Sequence, residues 1–257
     1  NFINITTYLL NYSKMLNKIK ELRELLIKRK KVAGDMPRHI AITTNGKKRW
    51  ADKNNKSLNE AYQRCFSVIF DALNTLVKQN IPIITVYLLR YKAEKSEQLP
   101  EVIDNLINFF NELSNKELIH ENRIKISVLG KWYELPDKII EPIKGLMDST
   151  KDYDNFFLNL CINYNGQEEI LDACRLIARK IKAEKLEPES IDKNLFKDNL
   201  YSSSFLPLDL VIKNGEKRIP NLLLWDSANS KIFFTEKSFL EFNSADVLKA
   251  IEFYKGK

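Results

Sequence analysis

Apolar residues along this chain fall into two alternating patterns. Short runs that are apolar at nearly every position are typical of strands buried on both faces of a sheet. These predicted strands cover residues 39–43, 81–89, 123–130, 156–162, 208–212 and 230–234. Between them, apolar residues recur at steps of three and four, which predicts helices over residues 57–79, 99–113 and 167–183. The alternation predicts a single α/β domain with a mostly parallel central sheet of about six strands, flanked by helices.

The N-terminal segment has a helical pattern of its own. Apolar residues recur at steps of three and four from Ile5 to Leu26, and the basic run at residues 28–31 suits the last turn of a helix. We therefore expect an extra N-terminal amphipathic helix within residues 1–34, ahead of a domain that spans residues 35–257. Its apolar face suits packing on the domain, on a partner chain or on an anionic lipid surface. The sequence leaves these three uses open.

The composition narrows the class of protein. With 44% hydrophobic residues among 257, the chain has enough apolar side chains for a substantial core. The three cysteines lack a CxxC spacing and the two histidines lie far apart, so no zinc site is expected. No apolar run reaches the length of about 18 residues that a membrane span needs. We expect a cytoplasmic protein and leave peripheral contact with a membrane open.

The net charge of +7 indicates an anionic partner. A nucleic acid is not expected, because the aromatic residues lie in apolar runs and no zinc-finger or RNA-binding signature is present. The phosphate groups of a small molecule, or a membrane surface, account for the charge equally well. Small ligands of open parallel sheets bind beyond the carboxyl ends of the strands. The candidate segments are therefore those that follow residues 43, 89, 162 and 212.

Motifs in three of these segments resemble one known family. Residues 39–51 read HIAITTNGKKRWA, which resembles the cis-prenyltransferase signature HIAxIMDGNxRWA. Residues 163–170 read NYNGQEEI, which is similar to that family's NYGGRxEI. Residues 208–225 read LDLVIKNGEKRIPNLLLW, which is similar to DLxIRTSGExRxSNFLLWQ shortened by one residue. The motifs follow in the family's order between Pro37 and Tyr254, so the chain is identified as a divergent member of the cis-prenyltransferase family.

The resemblance implies an architecture like that of undecaprenyl diphosphate synthase, and a homodimer or a heterodimer with another cis-prenyltransferase subunit. It also implies prenyl diphosphate substrates, namely isopentenyl diphosphate and dimethylallyl or longer allylic diphosphates. A turn after a strand presents backbone N–H groups to a diphosphate, and arginine adds charge-assisted hydrogen bonds. The residues expected to bind diphosphate are Gly46, Lys47, Lys48, Arg49, Arg90, Lys213, Glu216 and Arg218.

The sequence departs from the family where magnesium would bind. The family's signature Asp is Asn45 here, and Lys231 stands at the family's metal-binding Glu. Asn carries no charge and Lys cannot bind Mg²⁺, so no metal is expected in the usual site and no cofactor is implied. The two changes raise the local charge by about +3, which led us to expect Lys231 beside the phosphate oxygens. We take Asn45, Lys231 and Arg49 as the candidate catalytic residues.

Two functions fit this pattern. One is a transferase that performs prenyl transfer, condensation or cyclisation on isoprenoid diphosphates without the usual magnesium site. The alternative is a non-catalytic regulatory subunit of a heteromeric cis-prenyltransferase that makes polyprenyl diphosphate carrier lipids. Arg49, Lys213, Glu216 and Arg218 remain in the motifs, and a purely structural subunit has no evident need for them. This observation favours the enzyme.

Overall fold

The central sheet has six parallel strands. The computed structural model describes residues 35–90 and 99–256, so the predicted N-terminal helix lies outside the described residues. The strands are β1 (His39–Thr43), β2 (Ile83–Tyr87), β3 (Ile124–Leu129), β4 (Phe156–Cys161), β5 (Leu210–Asn214) and β6 (Lys231–Thr235). They follow the spatial order β3-β4-β2-β1-β5-β6 and all pair in parallel. The predicted fold class is confirmed, while the domain boundary at residue 35 stays a prediction.

Helices connect and cover these strands. They are α1 (Lys47–Asn54), α2 (Leu58–Lys78), α3 (Leu99–Ser114), α4 (Glu117–Glu121), α5 (Asp137–Ser149), α6 (Gly166–Lys182), α7 (Lys193–Lys197) and α8 (Ser244–Lys255). Helix α2 begins where the sequence predicts, because Ser57 and Glu60 form a reciprocal capping box. No helix in the described ranges is long and apolar enough to cross a membrane.

Each face of the sheet is covered by a separate apolar cluster. The larger cluster joins one face of the strands to α2, α3, α5 and α8. The smaller cluster lies on the other face and includes Phe157, Tyr164 and Phe205. Burial on both faces explains why the strands read as continuous apolar runs rather than as alternating patterns.

The start of β5 differs from the prediction. The strand begins at Leu210 rather than at residue 208, because the Asp209 carboxylate turns to β1. Its Oδ2 accepts hydrogen bonds from the backbone N–H groups of Arg38 (2.7 Å) and His39 (3.1 Å). The neighbouring strands are thus joined at their starting ends by a side chain before the β5 ladder begins.

A directed chain of hydrogen bonds fixes His39 inside the sheet. The imidazole is completely buried, and its Nδ1 lies 2.7 Å from the carbonyl oxygen of Leu206, so Nδ1 carries the donated proton. Its Nε2 lies 2.8 Å from Thr85 Oγ1, which itself accepts from the Asn159 amide at 3.2 Å. A neutral ring fits this arrangement, with Nε2 accepting from the Thr85 hydroxyl, and burial lowers the pKa of His39 from 6.5 to about 3.

The strand order places a crevice at one point of the sheet. From β1 the chain continues to β2 on one side, and β5 later pairs with the other side of β1. Such a reversal opens a ligand crevice beyond the carboxyl ends of the strands that flank it. The segments that follow β1 and β5 are therefore brought together at one edge of the sheet.

Candidate active site at the carboxyl edge of the sheet

A cavity of about 690 Å³ lies at this edge, beyond β1 and β5; we call it the basic cavity. The candidate residues in its lining are Asn45, Gly46, Arg49, Arg90, Lys213, Glu216 and Arg218. The segments at residues 45–49 and 213–218 lie far apart in sequence yet face one space. The structure therefore brings both segments to one cavity, and their binding of diphosphate stays a prediction.

Asn214, which is not among the candidate residues, joins these two segments. Its amide donates to the carbonyl oxygen of Asn45 at 2.7 Å. Its Oδ1 accepts from the Thr43 hydroxyl at 2.7 Å and from the Asn45 N–H at 3.3 Å. The last residue of β5 therefore fixes the backbone on both sides of the Asn45 peptide. A polar side chain at the buried end of an apolar strand was the signal available in the sequence.

Gly46 starts helix α1 in a conformation that favours glycine. Its φ of 104° lies in the left-handed region, and a Cβ atom there would lie 2.9 Å from Ser238 Oγ. No side chain caps this helix, so its first N–H groups lack an intrahelical acceptor, and Gly46 at its start lines the cavity. A helix N-terminus with free N–H groups favours a bound anion.

Arg49 lies beside this helix start. One of its guanidinium nitrogens would be 3.8 Å from a Cβ atom at Gly46 and 3.7 Å from one at Gly215. The guanidinium therefore sits between the turn that follows β1 and the turn that follows β5. It can bridge a ligand that reaches both turns, as its planar set of donors suits phosphate oxygens.

The opposite wall carries a second pair of basic side chains. Lys213 is buried and donates from Nζ to the carbonyl oxygen of Asn214 at 2.8 Å. Burial and the nearby Arg218 lower the pKa of Lys213, while Glu216 acts in the opposite direction. Arg218 is exposed and pairs with Glu216 at 2.8 Å. An anion near Lys213 would stabilise its protonated form.

A second, largely apolar pocket of about 320 Å³ adjoins the basic cavity; we call it the apolar pocket. The two spaces share Asn45, Gly46, Tyr87 and Arg90 in their linings. Apolar or aromatic side chains line most of the rest, namely Leu58, Tyr62, Leu88, Leu89, Leu99 and Val102. A cation-rich space therefore opens directly beside a largely apolar one.

Lys47 and Lys48 line the apolar pocket rather than the basic cavity. The Lys47 ammonium turns back and donates to the backbone oxygen and the hydroxyl of Thr44, at 2.9 and 3.0 Å. It also lies 5.1 Å from the centre of the Tyr62 ring. Lys47 thus contributes its charge at the junction of the two spaces.

The charge around both spaces is strongly unbalanced. Their linings contain six basic side chains and one carboxylate, Glu216. The basic side chains are Lys47, Lys48, Arg49, Arg90, Lys213 and Arg218. Within residues 35–90 and 99–256, only Arg218 among them has a carboxylate partner. Such an excess of unpaired cations in a concave site attracts and binds a polyanion.

Lys231 does not lie near this site. It starts β6 and pairs in register with Leu210, whereas the basic cavity lies beyond Asn214, about 13 Å further along the strands. Its ammonium donates to the carbonyl oxygen of Tyr254 at 2.7 Å and lies over that ring. The expectation that Lys231 lies beside the phosphate oxygens is therefore wrong within one chain. The first residue of a parallel strand belongs to the opposite edge of the sheet.

The donor set at the site does not suit magnesium. Asn45 offers a neutral amide where the family has a carboxylate, and Glu216 is already paired with Arg218. Among the described residues, no three Asp, Glu, His or Cys side chains gather so that they could hold a metal ion. Hard divalent cations prefer charged oxygen ligands, and the surrounding cations repel a further positive charge.

The motif at residues 163–170 also lies at the carboxyl edge of the sheet. Asn165 caps α6 by accepting from the N–H groups of Gln167 (2.9 Å) and Glu168 (3.1 Å), and it lines the basic cavity together with Asn221. Tyr87, which lines both spaces, donates to the carbonyl oxygen of Tyr164 at 2.9 Å. Tyr87, Asn165 and Asn221 were not among the candidate residues.

A cation-rich cavity beside an apolar pocket, at the edge of a parallel sheet, is suited to a ligand with an anionic head and a hydrocarbon tail. The comparison with known proteins identifies the family. The family model described as "Putative undecaprenyl diphosphate synthase" matches residues 43–257. The chain belongs to this family of cis-prenyltransferases.

Individual relatives match nearly the whole chain. A tritrans,polycis-undecaprenyl-diphosphate synthase (geranylgeranyl-diphosphate specific) of Thermoplasma volcanium is 34% identical over 224 residues, which cover 85% of this chain and 86% of that protein. An isoprenyl transferase of Prochlorococcus marinus is 33% identical over 225 residues, covering 86% and 82%. The chain is therefore similar to enzymes that carry the names of prenyl-chain synthases.

Solved structures share the fold. Lavandulyl diphosphate synthase from Lavandula x intermedia, in complex with dimethylallyl diphosphate, superimposes with a TM-score of 0.80 at 26% identity, covering 87% of this chain and 97% of that chain. A probable undecaprenyl diphosphate synthase from Campylobacter jejuni gives a TM-score of 0.68 at 21% identity, covering 86% and 96%. The second likeness concerns the fold alone.

Proposed function

We propose that this protein is a prenyltransferase that binds isoprenoid diphosphates through basic side chains, without a metal in the family's usual position. The proposal rests on the position of the basic cavity, which adjoins the apolar pocket. Six basic side chains and one carboxylate line them, and the apolar pocket opens directly beside the basic cavity. This pairing matches a ligand with a diphosphate head and a hydrocarbon tail.

The basic cavity has room and charge for two diphosphate groups. One group would lie against the start of α1, where uncapped N–H groups and Arg49 converge. The other would lie against Lys213 and Arg218, on the wall formed after β5. Fixed positive groups at these places would stabilise the charge that develops on a departing diphosphate. The proposal assigns this stabilisation to the basic side chains.

The relatives support this choice of substrate. The lavandulyl diphosphate synthase with a shared fold was solved with dimethylallyl diphosphate, and several relatives are named for prenyl diphosphate substrates or products. The assembly expected from the sequence, a homodimer or a heterodimer, stays a prediction, as does peripheral contact with a membrane.

The alternative function is a non-catalytic subunit of a heteromeric cis-prenyltransferase. The replacement of the family's Asp by Asn45 favours it, because a carboxylate is lost where the family's chemistry depends on one. The excess of unpaired cations favours the enzyme, since a subunit that only supports a partner needs no anion site. The two functions differ in whether the chain alone forms product.

Calorimetric titration tests the metal-free binding. The purified chain is titrated with inorganic diphosphate and with dimethylallyl diphosphate, in excess Mg²⁺ and in excess EDTA. We expect the affinity to change by less than about threefold between the two conditions, because protein cations supply the positive charge. Strict dependence on Mg²⁺ would refute the proposal. In the Asn45→Asp variant, which restores the family's carboxylate, we expect affinity to become stronger with Mg²⁺ than with EDTA.

A product assay separates the enzyme from the subunit. The chain alone is incubated with isopentenyl diphosphate and an allylic diphosphate, and the lipid products are separated by chromatography. Prenyl product from the chain alone supports the enzyme. Binding without product, followed by product on addition of an intact cis-prenyltransferase chain, would make the subunit the better conclusion.

A further inference from the structure

The first turn of α1 carries cations where a helix disfavours them. Lys47, Lys48 and Arg49 are its first three residues, and no acidic side chain lies in that turn. The N-terminus of a helix carries a partial positive charge, which repels cations and favours anions. A flexible lysine can escape this repulsion by extending into solvent. The Lys47 side chain instead folds back over the start of its own helix.

Thr44, the residue that follows β1, holds the Lys47 ammonium in this place. The ammonium donates to the backbone oxygen of Thr44 at 2.9 Å and to its Oγ1 at 3.0 Å. The Thr44 hydroxyl donates its own proton to the carbonyl oxygen of Tyr87 at 2.7 Å. Its lone pairs are therefore the part that faces Lys47. Thr44 is only 4% exposed, so little water reaches this acceptor.

Two residues of α2 complete the surroundings of the ammonium. The ring centre of Tyr62 lies 5.1 Å from Lys47 Nζ, and burial raises the pKa of this phenol to about 12, so the ring stays uncharged. The face of a neutral aromatic ring attracts a cation. Both Thr44 and Lys47 also lie against the buried thiol of Cys65, where they oppose the rise in its pKa that burial causes. Contacts from the end of β1 and from α2 thus fix the position of the charge.

This position is the mouth of the apolar pocket. Lys47 lines that pocket, while the two preceding residues, Asn45 and Gly46, line both spaces. A ligand whose hydrocarbon tail lies in the apolar pocket and whose head lies in the basic cavity has to place its first phosphate group at this junction. Arg49 lines the basic cavity. Lys47 can therefore approach this phosphate group from the side of the hydrocarbon, and Arg49 from the opposite side.

We propose that Thr44 is a positioning residue, which holds the Lys47 ammonium at the mouth of the apolar pocket, where it contacts the phosphate group next to the hydrocarbon. This inference rests on the proposed function and names the residue pair that recognises this end of an allylic diphosphate. The bonds to Thr44 hold Lys47 against the helix dipole, so the charge is in place before a ligand binds. Such preorganisation lowers the cost of binding.

A double-mutant cycle in calorimetry tests the pair. The natural chain, Thr44→Val, Lys47→Met and the double variant are titrated with dimethylallyl diphosphate. Valine keeps the shape of threonine but offers no side-chain acceptor, and methionine keeps an unbranched chain without a charge. We expect Lys47→Met to weaken binding by about tenfold and Thr44→Val by about three- to fivefold. In the Lys47→Met background, Thr44→Val should change the affinity by less than about twofold, because Thr44 acts only through Lys47.

Two further variants separate the position of the charge from the stability of the fold. Thr44→Ser keeps the hydroxyl, and we expect its affinity to stay within about twofold of the natural chain's even if the lost methyl group lowers stability. The matched control is Thr75→Val, which removes a buried hydroxyl that donates to the carbonyl oxygen of Asp71 and to the Ser244 hydroxyl. Thr75 lines neither space. We expect this control to lower the free energy of unfolding in urea while the affinity changes by less than about twofold.

The outcomes separate this inference from the function on which it rests. If neither inorganic diphosphate nor dimethylallyl diphosphate binds to the natural chain, the proposed function fails and this inference fails with it. If both bind and Lys47→Met keeps the natural affinity, the inference alone is overturned, whether or not Thr44→Val folds. Equal losses on Thr44→Val in the presence and absence of Lys47 would also overturn it, since Thr44 would then not act through Lys47.

Discussion

Acid should destabilise this protein through one buried histidine. His39 is neutral inside the sheet because its Nδ1–H donates to Leu206 while its Nε2 faces the hydroxyl of Thr85. Protonation of Nε2 would remove the nitrogen that accepts the Thr85 hydroxyl proton, so this hydroxyl would have to turn. It would also bury a charge. Burial therefore lowers the pKa of His39 from 6.5 to about 3 in the folded protein.

The lowered pKa of His39 makes the free energy of unfolding depend on pH. Between these two pKa values the unfolded chain binds a proton at His39 and the folded chain does not, so stability falls as the pH falls. The loss begins near pH 6.5 and continues until the folded pKa of about 3 is reached. For one group with these pKa values, the free energy of unfolding drops by about 2 kcal/mol between about pH 7.5 and about pH 5.

Urea unfolding of two proteins isolates this contribution. The free energy of unfolding is measured across this pH range for the natural chain and for His39→Gln, whose amide can still donate to Leu206. Other titrating groups, including the buried Glu169 whose pKa is raised by burial, act in both proteins and cancel in the difference. We expect the natural chain to lose about 2 kcal/mol more than the variant on acidification. Equal losses would show that His39 is not held neutral by the fold.

Two further predictions concern the site. Arg49→Ala should weaken diphosphate binding by about ten- to a hundredfold in calorimetry, because a charge-assisted hydrogen bond contributes about 1.5–3 kcal/mol. The control is Lys53→Ala, which removes a lysine on the same helix that pairs with Glu241. Equal losses of affinity in the two variants would show that only the total charge matters. Lys231→Ala should leave that affinity within about twofold, since Lys231 lies at the opposite edge of the sheet. A large loss in Lys231→Ala would show that a second chain brings its own β6 to the site.

Much of the fold could be predicted because the apolar patterns are strong. All six strands were predicted, and β1 has the predicted bounds, since strands buried on both faces read as unbroken apolar runs. Helices α4, α5, α7 and α8 were not predicted, and neither was helix α1. Its eight residues are mostly polar, and its start depends on the left-handed conformation of Gly46 rather than on a periodic pattern. Short polar helices of this kind are fixed by their surroundings.

The charged residues of the basic cavity could also be predicted, because they follow strands and parallel strands end at a common edge. The same rule shows why Lys231 was misplaced. Its position in the motif order suggested the metal site, but it is the first residue of β6 and belongs to the other edge. The direction of the strand can be read from the sequence, and it places Lys231 at the edge opposite the basic cavity.

The parallel α/β fold, the family and the basic residues that gather beyond β1 and β5 can be inferred from the sequence alone. These follow from local pattern and from strand direction, which are properties of short segments. Three contacts depend on the folded arrangement instead: Asn214 fixes the backbone of Asn45, Lys47 turns towards Tyr62, and Phe66 stacks on Phe109. Each of these contacts depends on how side chains from separate elements fill a shared space. Periodicity places a side chain on a face, but packing decides which neighbour it meets there.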